Sequence, residues 1–377
     1  MTGSQTLPSK MISQPADLVN VVNEMAGSSV IALDTESNSR HHYPEQLCLI
    51  QIATRTKVYI IDTLALKDLS PLKPVLEDST IRKVIHGADY DIRCFDRHYG
   101  YRIHNLFDTS VAARFSGLTE FGLAAIIKSL LGLTILKSER LQQGDWGRRP
   151  LSAEALEYAA ADVQHLFTLQ EKLDQCLQEL GRATWVVEEC ERLEEVRYSV
   201  PDLQTAFLSV KGTQNFSGSA LAVLRSLFLF RDEEARRQGR PPFFVLPDMA
   251  LITLAENPTI NLSNVPGLGS YALQRFGAGI QQALTEGQSA APVQRPRLVF
   301  ERRTEAESKR LIRLKAWRTS LGISLALDPS LLWPTVSLER LAKNPKSFES
   351  EILSTSVRLW QREQFSESLK ACLKTLT

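Results

Sequence analysis

Four carboxylates and one tyrosine carry the chemistry legible in this chain: Asp34 and Glu36 in VIALDTES, Asp91 in HGADYDIRCF, and Tyr158 with Asp162 in LEYAAADVQHL. Asp34-Thr35-Glu36 closes the apolar run Val30-Ile31-Ala32-Leu33. Such a run predicts a buried strand, whose period-2 alternation puts both acids on one face. Two acids there repel each other unless a cation sits between them. Tyr158 and Asp162 lie four apart in a stretch, 156–173, with helical periodicity. Their Cβ atoms then fall about 5–6 Å apart, and a phenol stands beside a metal ligand.

Every donor in this set is an oxygen, which selects Mg²⁺ or Mn²⁺ over the zinc that Cys and His favour. Two divalent ions about 3.5–4 Å apart, one lowering the pKa of a water and the other stabilising a leaving oxygen, suit phosphoryl transfer. Taken singly, Asp-x-Glu is an ordinary strand terminus and Tyr-x-x-x-Asp an ordinary helix face; order, spacing and context together point to a site. Asp89 rivals Asp91 two residues away and is read as a solvated charge at a helix N-terminus. Asp108 in LFDT is read as the N-cap of the next helix.

The order Asp-x-Glu, Asp, Tyr-x-x-x-Asp resembles the DEDD 3′→5′ exonuclease superfamily, in its tyrosine branch, and within it the ribonuclease D family. LCLIQIAT, VYIID, FDTSVAARF and GDWGRRPLSAEALEYAAADV extend the likeness over roughly residues 15–180. The resemblance implies a ribonuclease H-like fold with the carboxylates gathered at one edge of the sheet. It also implies a metal-dependent 3′→5′ exoribonuclease that trims structured RNA such as tRNA precursors and releases nucleoside 5′-monophosphates. In that scheme Asp34, Glu36 and Asp162 share one ion, Asp34 bridges to a second, Asp91 reaches the second directly or through water, and Tyr158 positions the attacking water. Two alternatives use the same residues: a 3′→5′ DNA exonuclease of repair acting on single-stranded DNA, and a non-catalytic RNA-binding protein. Neither a protein partner nor a membrane is implied.

The elements that must hold these residues read as strands at 30–34, 47–53, 57–62, 82–86 and 103–107, with helices at 88–98, 109–115, near 119–131 and over 152–179. That order suits an α/β domain: a mixed five-stranded sheet with flanking helices. Lys137, Arg140 and Trp146 fall in a loop expected over the site, where the cations would hold phosphate and the indole would stack on a base or pack beneath the loop.

At 377 residues the chain exceeds one typical core of about 100–200 residues. The reading is an exonuclease domain at 1–185, a helical connector at 186–217, a small helical domain at 218–285, a linker at 286–302 and another helical domain at 303–377. The 218–285 domain, with LSNVPGLGSYALQRFGAGIQQAL, resembles the HRDC module; the 303–377 domain resembles a more divergent, all-α copy of it. Residues 200–377 hold 23 Lys+Arg against 16 Asp+Glu, a balance of +7, leaving 21 against 27, or −6, for residues 1–199. Arg295, Arg297, Arg302, Arg303, Lys309, Arg310, Arg313, Lys315 and Arg318 concentrate that charge and suggest attraction for a polyanion. Five scattered cysteines without a Cys-x-x-Cys pair suggest neither a disulfide framework nor zinc, and with no signal-like N-terminus or long apolar run the expected location is cytoplasmic.

Overall fold

LCLIQIA and VYIID are nearly unbroken apolar runs, the pattern of strands buried on both faces, and every residue in both is buried. They form the middle of the sheet in a computed structural model that describes residues 7–135, 138–296 and 302–375. The first part of the chain runs β1 (Ser9–Ile12), α1 (Pro15–Met25), β2 (Val30–Ser37), β3 (Leu47–Ala53), β4 (Val58–Asp62), α2 (Lys73–Glu77), β5 (Arg82–Ile85), α3 (Asp89–Tyr99), β6 (Leu106–Asp108) and α4 (Thr109–Phe115). α5 (Leu123–Leu131), α6 (Glu139–Gln142), α7 (Ala153–Gln164), α8 (Leu166–Glu179) and α9 (Ala183–Glu194) follow.

The sheet has six strands, in the order β1-β4-β3-β2-β5-β6, not the five expected. The extra strand, SKMI, pairs parallel with β4 at the edge; four residues, of which only Ile12 is buried, give no periodic signal. The last strand is shorter than expected because Asn105, at φ 56°, breaks the extended chain just before it. The helical stretch 152–179 divides at His165 into α7 and α8.

β2 is an interior strand, yet β5 pairs with it only over Val30–Ala32, so Asp34 onward has a strand neighbour only in β3. The acids therefore sit on a local edge inside the sheet. Antiparallel register sets two rows across this face: Asp34 beside Gln51 beside Ile60, and Glu36 beside Leu49 beside Asp62. α7 lies across β2, β3 and β4 and covers these rows.

Beyond α9 come α10 (Leu203–Ala206) and a first helical unit of α11 (Gly218–Gln238), α12 (Pro242–Val245), α13 (Asp248–Glu256) and α14 (Ser270–Ser289). A second unit follows: α15 (Glu305–Leu325), α16 (Pro329–Leu332), α17 (Thr335–Lys343), α18 (Phe348–Glu351) and α19 (Leu359–Lys374). α14 runs into the expected linker, and Gly287 lets it meet α11 closely, since a Cβ there would lie 2.5 Å from Val223 Cα. The extended tail after it is strapped back, with Val293 N donating to Gly218 O at 2.9 Å.

The first unit encloses its own core, while the second shares one with the sheet domain. The expected connector begins inside that shared core, because α9 buries Trp185, Val186 and Cys190. Several side chains of the basic run are engaged within the chain. Arg295 donates to Leu208 O and Thr213, Arg310 to Ala342 O, and Arg318 to Trp333 O, while Arg303 and Lys309 pair with Glu339 and Glu305. Arg297 lies outside the described residues.

Candidate metal centre

Strand alternation places Asp34 and Glu36 on the face beneath α7, and the i, i+4 spacing on α7 turns Tyr158 and Asp162 toward them. One oxygen each from Asp34, Glu36 and Asp162 lie within 4.8 Å of one another. Asp91 stands outside that triplet, in the first turn of α3, nearly buried at 5% exposure. Thr35, between the two strand acids, donates to Asp91 Oδ1 at 2.5 Å and so ties α3 to β2. Asp108 caps α4 as expected, and also accepts from Gly87 N and Ala88 N at 3.0 and 2.8 Å, which fixes the turn that launches α3. Asp89 points elsewhere: it is exposed and holds Arg93 through two bonds of 2.8 and 3.0 Å.

A cavity of about 480 Å³ opens onto Asp34, Glu36, Tyr158 and Asp162. Its walls include His86 and the first turn of α5, Leu123–Ala125. His86 is kept neutral by burial and is hydrogen-bonded to Thr109 Oγ1 at 2.9 Å. A smaller recess of about 260 Å³ continues past Thr35 and Glu36 to Ser37, Arg40 and Tyr90.

Desolvation, then repulsion from Asp162, drives Asp34 well above the usual carboxylate range. Desolvation and Asp34 do the same to Asp91, against the pull of the Thr35 hydroxyl. Glu36 is pushed up to about 10 by desolvation and by Asp34, Asp162 and Asp91, and Asp162 to about 7 by desolvation. Tyr158 is raised by burial and by Asp162, Glu36 and Asp34, so it stays a neutral phenol. Carboxylates crowded this way hold protons until a cation replaces them, and a purely oxygen donor set fits a hard divalent ion.

Trp146 is not available to a base: it is 3% exposed and packs behind Tyr158, ring centroids 6.1 Å apart. Arg149 draws its loop inward, donating to Asp62 through bonds of 2.7 and 2.6 Å and, through Nη1–H, to Trp146 O at 2.7 Å. Burial would raise the Asp62 carboxyl, but the Arg149 guanidinium overrides this and holds it below its usual value. Arg140 is exposed on α6 and pairs with Glu154 at 2.5 Å; Lys137 lies outside the described residues. Thr35, His86, Asp62 and Arg149 were missed from sequence. Thr35 and His86 sit inside the motifs that were read, so their place there was the available signal.

Residues 9–178 match the family described as 3′-5′ exonuclease, and residues 220–284 match the HRDC domain. Ribonuclease D of Gluconacetobacter diazotrophicus is 31% identical over 343 residues, 89% of this chain and 86% of that protein. In fold the chain is similar to Escherichia coli RNase D, an exoribonuclease involved in structured RNA processing, with TM-score 0.73 at 24% identity over 98% of this chain and 99% of that one. The catalytic core of RRP6 from Trypanosoma brucei gives TM-score 0.67 at 27% identity over 75% and 80% of the two chains. With the acidic triplet, the six-stranded sheet and both matched domains in one chain, it belongs to the ribonuclease D family of 3′→5′ exoribonucleases.

Proposed function

We propose that this chain removes nucleotides singly from the 3′ end of structured RNA, tRNA precursors among them, in the cytoplasm, using two Mg²⁺ or Mn²⁺ ions. The observation that carries the reading is the meeting of Asp34, Glu36 and Asp162 oxygens within 4.8 Å, with Tyr158 on the same cavity wall and Asp91 held by the hydroxyl of Thr35 between the two strand acids. Asp34, Glu36 and Asp162 would hold one ion; Asp34 and Asp91 would hold the other. When bound, such ions supply the Lewis acidity that makes water nucleophilic at neutral pH and offsets charge on the leaving oxygen. Tyr158, a neutral phenol, accepts a hydrogen bond from the attacking water and aims its free lone pair at the terminal phosphorus. The 3′ oxygen of the preceding nucleotide leaves, and the product is a nucleoside 5′-monophosphate. Trp146 backs Tyr158 and fixes its ring.

Residues 303–377 are inferred to be a divergent second HRDC-like domain, a reading supported by the shared order of helices in the two units. Replacing Tyr158 with Phe tests the mechanism. Single-turnover hydrolysis should slow about 10²-fold or more with RNA affinity retained, in line with loss of a positioned water; an unchanged rate would remove the phenol from the reaction. Matched RNA and DNA oligonucleotides distinguish the DNA reading, which predicts equal or faster cleavage of DNA.

A further inference from the structure

β3 carries one strongly polar side chain. Six of its residues are Leu, Cys, Leu, Ile, Ile and Ala; the remaining one, Gln51, is equally buried, at 0% exposure. Neither Nε2 nor Oε1 of Gln51 has a hydrogen-bond partner. A buried amide in that condition is destabilising, and a leucine or methionine would avoid the cost. Register places Gln51 directly across the antiparallel pair from Asp34, on the same face, with Cβ atoms about 4.5–5.5 Å apart. Its neighbour on the other side, Ile60, offers no polar group. Register therefore sets the Gln51 side chain next to Asp34, the acid that would serve both ions in the reading above.

We propose that Gln51 is a positioning residue of the metal centre, its Nε2–H donating to the Asp34 carboxylate when that carboxylate bridges two ions. The inference rests on the metal-centre reading above. A bridging carboxylate spends one lone pair on each ion and keeps others free to accept. A neutral donor orients it without competing with the cations, as a lysine or arginine would. Outer-shell hydrogen bonds of this kind commonly hold ligands in place at metal sites.

The test compares wild type, Gln51→Met, Gln51→Leu and Asp34→Asn by Mn²⁺ titration calorimetry without RNA and by thermal unfolding in EDTA. Both Gln51 variants should bind Mn²⁺ about 10–100-fold more weakly, while their Tm in EDTA stays level or rises because the orphan amide is gone. Unchanged Mn²⁺ affinity in both variants would overturn the proposal. So would a fall in the EDTA Tm of both, which would mean the amide is bonded within the ion-free fold. Loss of Mn²⁺ binding in Asp34→Asn isolates the parent reading: if that variant binds as wild type does, the metal centre itself is misassigned.

Discussion

α11 and α15 are both 21 residues long, and each is followed by a four-residue helix, a nine-residue helix and a three-residue 3-10 turn; a long helix then closes the first unit directly and the second after the short α18. The two units nevertheless meet the catalytic domain by different physics. In the second, Trp360 stacks on Trp185 of α9 at 4.7 Å, with Phe115 and Phe365 edge-on, inside the core shared with the sheet. Glu188 of α9 accepts from the first amides of α19, Leu359 N and Trp360 N, at 2.7 and 2.9 Å. In the first, the contact with the loop beside the candidate site is local: the Tyr43 ring packs against the unit's own core, Tyr43 donates to Asp232, which Arg236 also binds at 2.7 Å, and Tyr43 N donates to Gly239 O at 3.2 Å. Continuous apolar burial makes one folding unit of two domains; a small local contact docks domains that have separate cores. Similar helices thus serve as a brace in one place and as a docked module in the other.

Trp360→Ala should break the brace hardest, costing about 3–5 kcal/mol as buried aromatics do, and should lower the melting of the catalytic domain with it. Two separate transitions, with the catalytic one unmoved, would refute the shared core. pH sharpens the same contrast. Asp162 is raised from 3.8 to about 7, so the ion-free fold keeps a proton that the unfolded chain gives up. Stability of the catalytic transition in EDTA should therefore fall as pH rises from about 4 to about 7, and excess Mg²⁺ or Mn²⁺ should reverse the fall. The first unit has the opposite tendency, because hydrogen bonding to Arg237 holds Glu234 below its usual value; its transition should not weaken over that range. Glu188→Ala, which strands the first amides of α19, should cost about 1.5–3 kcal/mol in the catalytic transition. Tyr43→Phe should be mildest, about 0.5–1.5 kcal/mol, and should leave cleavage of a dinucleotide unchanged. Calorimetry follows all four, and a larger effect for Tyr43→Phe than for Trp360→Ala would invert the comparison.

The candidate site residues were legible because local rules place them. Strand alternation aligns Asp34 with Glu36, and one helical turn aligns Tyr158 with Asp162. The motif separated Asp91 from Asp89; in the fold Asp91 is buried and Asp89 holds Arg93 in solvent. What was not legible depends on partners distant in sequence. Trp146 reads as a loop aromatic because nothing local announces that Arg149 pulls its loop onto Asp62 of β4. The basic run reads only as charge in the sequence, which does not reveal that Arg295, Arg310 and Arg318 also hold backbone carbonyls. The shared core is hidden for a related reason: an amphipathic helix shows that it must bury a face, but not against which domain. Gln51 stands in the open in LCLIQIAT, and only strand register gives it a meaning.

Among the described residues no helix is long and apolar enough to cross a membrane. The most direct test of the account is a time course on 5′-labelled RNA with an unpaired 3′ end, in Mg²⁺, Mn²⁺ or EDTA, for wild type beside Asp34→Ala. The account predicts a metal-dependent ladder shortening from the 3′ end, absent in EDTA and in the folded variant. An undiminished ladder from Asp34→Ala would contradict it by placing the chemistry elsewhere, and so would intact RNA after incubation with folded, metal-loaded wild type.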